Sequence, residues 1–274
     1  MTRAIVIACA TLAAGCGSDT TAPSAPPAQP VRIALLEPSA ALVRGVHDAE
    51  RFVGAVETAD AGSADLVVTG DPARATATAK SWPGTHVLLV GGTPPGPAPR
   101  NLLAVQISRG QPAYLAGAVA ALAGAHTVAV AGGDEELAVA VRAGGEETGT
   151  ALDVTSTACG AATTGDVVYL ERPECLPAGF TGKVVAPEMV DGADQLAVVG
   201  PRPWVAVAAA ARAVQAGRFV PGVMLEGLRQ DVLGIGWISP SIPAAAVDRL
   251  QRIEDRIRAG QADVPLVAPI LQAE

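Results

Sequence analysis

Aromatic residues are few in this 274-residue chain: three Trp, three Phe and two Tyr make 3% of it. A core built on stacked rings is excluded, and each aromatic side chain needs its own account. A cationic excess is also lacking. Nineteen Lys and Arg face 27 Asp and Glu, for a formal charge of −8. That balance argues against a sequence-independent nucleic-acid surface, which needs clustered cations, and against electrostatic docking to anionic lipid. The three histidines, His47, His86 and His126, lie far apart, and none has a Cys or second His at ligand spacing, so no metal site is expected. Motifs for catalysis are missing as well: no Gly-x-Ser-x-Gly elbow, no phosphate loop ending Gly-Lys-Ser/Thr, no dinucleotide fingerprint. "VAVAGGDEE" (128–136) superficially looks like a phosphate-binding turn but lacks the Lys and the glycine spacing. Neither an enzyme nor a cofactor is expected. The uncharged stretch Ala113–Ala125 is too short to span a bilayer.

What is present is aliphatic. Half of the residues are hydrophobic, mainly Ala, Val and Leu, which predicts a globular chain, and the length is enough for two lobes. The first thirty residues are different. "MTRAIVIACATLAAGC" carries one early cation, Arg3, then an apolar run of about eleven residues from Ala4 to Ala14: too short for a span, right for a signal-peptide core. "LAAGC" resembles a lipobox, with Leu12 one place earlier than usual and Ala13 in the usual leucine position. The resemblance implies lipidation of Cys16; an ordinary secretory peptide with an incidental Cys is the alternative. "GSDTTAPSAPPAQP" (17–30) is small, polar and proline-rich and reads as a flexible tether. Two cysteines, Cys159 and Cys175, remain in the exported part and enclose about 15 residues. In an oxidising compartment they favour a bridge contributing roughly 3 kcal/mol; two free buried thiols are the alternative.

From Val31 onward, Val- and Leu-rich runs alternate with alanine-rich helical stretches. Strands are predicted at 31–37, 53–58, 64–70, 85–92, 101–107 and 127–133, then at 151–157, 166–171, 183–188, 195–200, 222–228 and 232–239. Helices are predicted at 41–52, 72–82, 111–124, 134–147, 203–217 and 243–259. Continuous apolar strands followed by helices indicate α/β architecture with parallel sheets covered on both faces. There are too many strands for one sheet, so two lobes are expected. The division predicted is a signal peptide over 1–16, a tether over 17–30, a first lobe over 31–132, a second over 133–221, and crossover strands with a final helix over 222–274. In such sheets ligands gather beyond the carboxyl ends of the strands. Here those ends read "LLEPS", "VVTGD", "VAVAGGDEE" and "VVGPRPW".

Two segments carry a family resemblance. "QPAYLAGAVAALAGAHTVAVAGGDE" (111–135) and "AVQAGRFVPGVMLEGLRQDVLGIGWISPSIPAAAVDRLQRIEDRIRAGQADVP" (213–265) resemble the basic membrane protein family of substrate-binding lipoproteins. Gly217, Phe219, Gly222, Gly227, Leu228, Pro243, Ile257, Gly260, Val264 and Pro265 follow the family's order in the second. The resemblance implies a type I periplasmic-binding fold, two α/β lobes joined by a hinge, in a lipid-anchored extracytoplasmic receptor on the cell membrane. It also implies delivery of a small molecule, in this family largely a nucleoside held by stacking aromatics and polar groups, to an ABC permease. A degenerate surface lipoprotein of the same fold, acting through protein contacts, is the other reading.

Each candidate ligand contact has a plainer account beside it. Glu37 and Ser39 follow the first strand, where the family carries Asp-Asp-x-Ser-Phe-Asn. Asp71, in "TGDP", and Asp134, after Gly132-Gly133, are equally good helix caps; Asp134 also resembles the family's ribose-binding acid. Arg202 and Trp204 offer a charge clamp and a stacking face, or simply a helix start. Phe180, in "PAGFTG", offers a second stacking ring; Tyr114 reads rather as core.

Overall fold

The computed structural model describes residues 29–267; Cys16 and residues 17–28 of the tether lie outside the described residues. The order of elements follows the apolar runs closely. β1 (Arg32–Leu35), α1 (Ala40–Val53), β2 (Val56–Glu57), β3 (Leu66–Thr69), α2 (Pro72–Ser81), β4 (His86–Val90) and β5 (Leu102–Ile107) come first. Then follow α3 (Gly110–Leu122), β6 (Thr127–Ala131), α4 (Glu135–Glu147), β7 (Asp153–Thr157), β8 (Val167–Leu170), β9 (Lys183–Ala186) and β10 (Asp194–Pro201). The chain ends with α5 (Pro203–Gln215), β11 (Gly222–Glu226), β12 (Leu233–Ile238) and α6 (Ala244–Arg258).

The strands form two six-stranded sheets, ordered β11-β5-β4-β3-β1-β2 and β12-β10-β9-β8-β6-β7. Every pairing is parallel except β10 with β12. The fold is α/β with two parallel-dominated sheets. The strand pairing divides the chain differently from the 31–132 and 133–221 split. β6 belongs to the second sheet, so the second lobe begins at α3 rather than at 133. α5 packs against α1 over the first sheet, where Val207, Ala210 and Ala211 share a core with Ile33, Leu42, Val46 and Leu88. β11 and β12 close one edge of each sheet. The chain therefore crosses between lobes three times, at Ser108–Arg109, at Arg202 and over residues 227–232. Hydrophobic periodicity shows that a strand is buried, not which sheet it joins, so these crossings are invisible to it.

α3 is buried on nearly all sides, from Pro112 to Ala121. It crosses α4 at backbone contact: a Cβ on Gly117 would strike the Val141 carbonyl, and one on Gly144 the Tyr114 carbonyl. Glycines at both crossing points let two main chains meet where any side chain would hold them apart. The Tyr114 hydroxyl, at the rim of this contact, donates to Glu147 at 2.9 Å.

Helical cover on both faces holds only for the first sheet. There α1 and α5 lie on one face and α2 on the other. In the second lobe α3, α4 and α6 all contribute to one cluster. The opposite face, Ala129, Ala131, Val168, Leu170, Val184 and Ala186, is covered by Cys175, Leu176, Phe180 and Val190 from irregular connections. Cys159 and Cys175 are bridged there, at an S–S distance of 2.08 Å. The bridge joins the segments leaving the carboxyl ends of β7 and β8, against Gly132. No described helix is long and apolar enough to cross a membrane.

Candidate functional site: the cleft between the lobes

The two sheets present their carboxyl edges to each other across a cavity of about 460 Å³, a size that suits a small organic ligand. The first lobe contributes the ends of β4 and β5: Gly91, Gly92 and Thr93, then Gln106, Ile107 and Ser108. The second contributes Tyr169, Glu171 and Arg172 after β8, Pro187 after β9, and Val199 and Pro201 of β10. Arg109 and Pro112, at the first crossing and the start of α3, and Leu233 of β12 complete the lining. A larger, more open depression of about 830 Å³ lies at the other edge of the first sheet, beside Arg32, Asp65, His86 and the end of the tether. It touches one lobe only.

Arg109 is the electrostatic centre of the cleft. Its Nε donates to Glu171 Oε1 at 2.5 Å and its Nη2 to Asp134 Oδ2 at 3.1 Å. Arg109 is 15% exposed and Glu171 11%, so the pair is largely withdrawn from water. Burial alone would lower the Arg109 pKa; Glu171 first and Asp134 second outweigh it and hold the guanidinium firmly charged. For Asp134, burial pushes the pKa up, but hydrogen bonds from the Leu137 amide and from Arg109 bring it below the usual carboxylate range. One cation thus anchors the first crossing to the carboxyl ends of β6 and β8 in the second lobe.

The crossings are also tied to one another. Leu228 N donates to Gln111 Oε1 at 2.8 Å, and Ser108 N to the Glu226 carbonyl at 2.9 Å. Arg202 N donates to the Val232 carbonyl at 2.6 Å, and Arg202 Nη2 to the Ile235 carbonyl at 2.8 Å. These bonds join all three connections into one narrow hinge, the geometry a bending two-lobe molecule requires.

None of the seven residues chosen from sequence is among those lining the cavity. Glu37, Ser39 and Asp71 do lie at the carboxyl edge of the first sheet, but at β1 and β3 rather than β4 and β5. Ser39 caps α1, accepting from Leu42 N at 3.3 Å, and Asp71 caps α2, accepting from Arg74 N at 2.9 Å. Glu37 pairs with Arg74 at 2.8 Å. Asp134 caps α4 and reaches the cleft only through Arg109. Arg202 is spent on the β12 backbone, its guanidinium packed on Gly234. Trp204 faces α1, where the Arg44 guanidinium sits 4.1 Å from the ring centre. Phe180 precedes β9 and so lies at the amino edge of the second sheet, packed over the helix-free face. The stacking pair that the resemblance implies is therefore not formed by Phe180 and Trp204. The groups that do line the cleft were legible by the same strand-end rule. "AVQISR" and "VVYLER" end in Arg109 and Glu171–Arg172, and neither segment was among the strand ends singled out.

No protein-family model matches the chain, and no curated protein matches it. Solved structures do. An ABC transporter solute-binding protein from Conexibacter woesei is 16% identical, with a TM-score of 0.65 over 86% of this chain and 99% of that one. A transcriptional activator of the comK gene from Bacillus halodurans is 14% identical, with a TM-score of 0.68 over 85% and 99%. ABC transporter solute-binding proteins from Aeropyrum pernix give 15%, 0.55, 85% and 92%. The fold is that of a two-lobe periplasmic-binding protein. At these identities the likeness covers architecture alone, and the shared architecture serves both receptors and a regulator. Among the described residues no cluster of His, Cys, Asp or Glu is arranged to hold a metal ion.

Proposed function

We propose that this chain is an extracytoplasmic solute-binding protein of an ABC transport system, held at the outer face of the cell membrane by lipid on Cys16. A ligand enters the open cleft, touches groups of both lobes, and favours the closed form by binding it more tightly than the open one. The closed complex then delivers the ligand to a permease. The observation that carries this reading is the cavity between the carboxyl edges of both sheets, polar on both sides and spanned by a three-strand hinge. Action is by binding, without turnover. By family resemblance the first ligands to try are nucleosides.

Thermal-shift screening against nucleosides, bases, sugars and amino acids tests it. A true ligand at a hundredfold excess over Kd stabilises by about 2.7 kcal/mol. The absence of any shift across all four classes would remove the receptor reading. Metabolic labelling with palmitate tests the anchor: label is expected on the wild-type chain and lost in Cys16→Ala.

A second reading is action through protein contact. It is favoured by β11, an edge strand with exposed Val223, Met224 and Leu225 beside exposed Val220. Exposed apolar edges pair readily with other chains. Under this reading charged substitutions on β11 abolish partner binding and no solute stabilises the fold.

A further inference from the structure

Tyr169 is 3% exposed, yet it lines the cleft, and its hydroxyl makes no hydrogen bond among the described residues. A phenol is both donor and acceptor. The buried side-chain polar atoms without a partner among the described residues are His86 Nδ1 and Thr163 Oγ1, so the Tyr169 oxygen keeps some access to water. A ligand that displaces that water must offer a partner or leave the hydroxyl unpaired at a cost of about a kilocalorie or more. Among the described residues, the charges that act on it, Glu171 and Arg109, do so through space and are bound to each other. On the first-lobe wall, Gln106 Nε2 donates to Thr93 Oγ1 at 2.7 Å. That bond leaves the Thr93 hydroxyl proton as a donor and the Gln106 carbonyl as an acceptor, both at the cavity lining.

Resting on the solute-binding reading, we infer that Tyr169 on one lobe and the Gln106–Thr93 pair on the other are the ligand-reading groups, and that the ligand is uncharged, with hydroxyl or carbonyl groups on an apolar frame. Three features of the wall carry the ligand class. Its charges are matched internally: Arg109 with Glu171 and Asp134, Arg172 with Glu174 at 3.7 Å. A charged ligand would enter without an uncompensated partner and lose its hydration for nothing. Apart from Ser108 and the backbone of Gly91 and Gly92, the remaining wall is aliphatic, including Pro187, Val199, Pro201 and Leu233. Among the described residues, Tyr169 is the one aromatic in the lining, and no pair of their rings sandwiches a base. Recognition then falls on a hydroxylated ring, either a free sugar or polyol or the sugar of a nucleoside.

The test uses the purified full chain with D-ribose, myo-inositol and inosine as uncharged probes, and glutamate, leucine, choline and inorganic phosphate as charged ones. Uncharged probes are expected to raise Tm and charged ones to leave it unchanged; inosine against ribose separates nucleoside from free sugar. Tyr169→Phe keeps the ring and removes only the hydroxyl. It is expected to weaken the best probe about tenfold, as loss of one hydrogen bond in a dry site does, while the ligand-free Tm stays level or rises. Thr93→Val is expected to weaken binding similarly from the opposite wall. A structural tyrosine would give the reverse pattern, a lower ligand-free Tm and unchanged affinity, and would overturn the assignment. Binding of charged solutes alone overturns the ligand class but leaves the receptor reading standing. No binding by any probe removes both.

Discussion

The two lobes carry sheets of the same size but solve the problem of covering them differently. The first sheet has helices on both faces, α1 and α5 against Ile33, Leu66 and Leu88 and α2 against Val67, Val87 and Leu89. The second has α3, α4 and α6 on one face only. Its other face is roofed by irregular chain, pinned by the bridge between Cys159 and Cys175 and by Phe180. Irregular chain is ordered at the same entropic cost per residue as a helix, about 1–2 kcal/mol, but without the helix's own ladder of backbone hydrogen bonds. A covalent link that restricts the unfolded chain compensates for part of this. The second lobe also concentrates its helices: α3 and α4 touch at main chain, which the first lobe's helices do not require except at Gly45 beside Trp204 and Val207. Equal strand counts therefore conceal unequal sources of stability.

The largest test of this contrast is Gly144→Val. The new side chain must displace the Tyr114 carbonyl, and overpacking at a backbone contact is expected to destabilise by at least about 3 kcal/mol. Chemical denaturation measures it, and a loss below about 1 kcal/mol would show that the two helices are free to separate.

Next is the bridge. Cys159→Ser with Cys175→Ser is expected to lose roughly 3 kcal/mol, from the loop the bridge closes. Hydrogen exchange should rise in β8 and β9 while β1, β3 and β4 keep their protection. Uniform loosening of both sheets would contradict the idea that the roof is local to one lobe.

Alkaline pH is a third and smaller lever, again on the second lobe, which holds both tyrosines of the chain. Burial first, then the neighbouring carboxylates, pushes both Tyr114 and Tyr169 well above the ordinary phenol value of 10.0. A raised folded pKa gives stability that is complete below the unfolded pKa and is lost as pH rises past it. Phenolate absorbance is therefore expected to be absent from the folded protein at pH 10 and to appear together with unfolding. Earlier titration of either ring would mean that the second lobe's core admits water.

The smallest effect is expected in the first lobe. Asp71→Ala removes the α2 cap and is expected to cost about 1 kcal/mol, with ligand affinity unchanged by calorimetry. A fall in affinity would return Asp71 to the binding site and extend the cleft toward β3.

Much of this molecule is legible along the chain. Most helices and strands fall on an apolar run, because burial against a sheet demands one whatever lies opposite. The exceptions are β2, Val56–Glu57, which is exposed, and α3, which is apolar on nearly every side and shows no single face. The caps at Ser39, Asp71 and Asp134 are legible too, since a helix start leaves free amides that a side-chain acceptor three residues earlier can satisfy. The same chemistry explains why those residues also read as ligand contacts: a polar side chain at a strand end serves a cap or a ligand equally well. The strand-end rule reaches Arg109 but not its role. Its meaning depends on Glu171, 62 positions away, and on Asp134, 25 positions away.

By itself, then, the sequence determines most of the buried segments, the helix starts that carry a side-chain cap, and that two α/β lobes form. Those are matters of local period and of backbone groups that must find partners nearby. Only the tertiary structure decides which sheet takes β6, α5 and β12, where the chain crosses between lobes, and which strand ends surround the cleft. Such choices are made by contacts between residues distant in the chain, and no short stretch contains both partners.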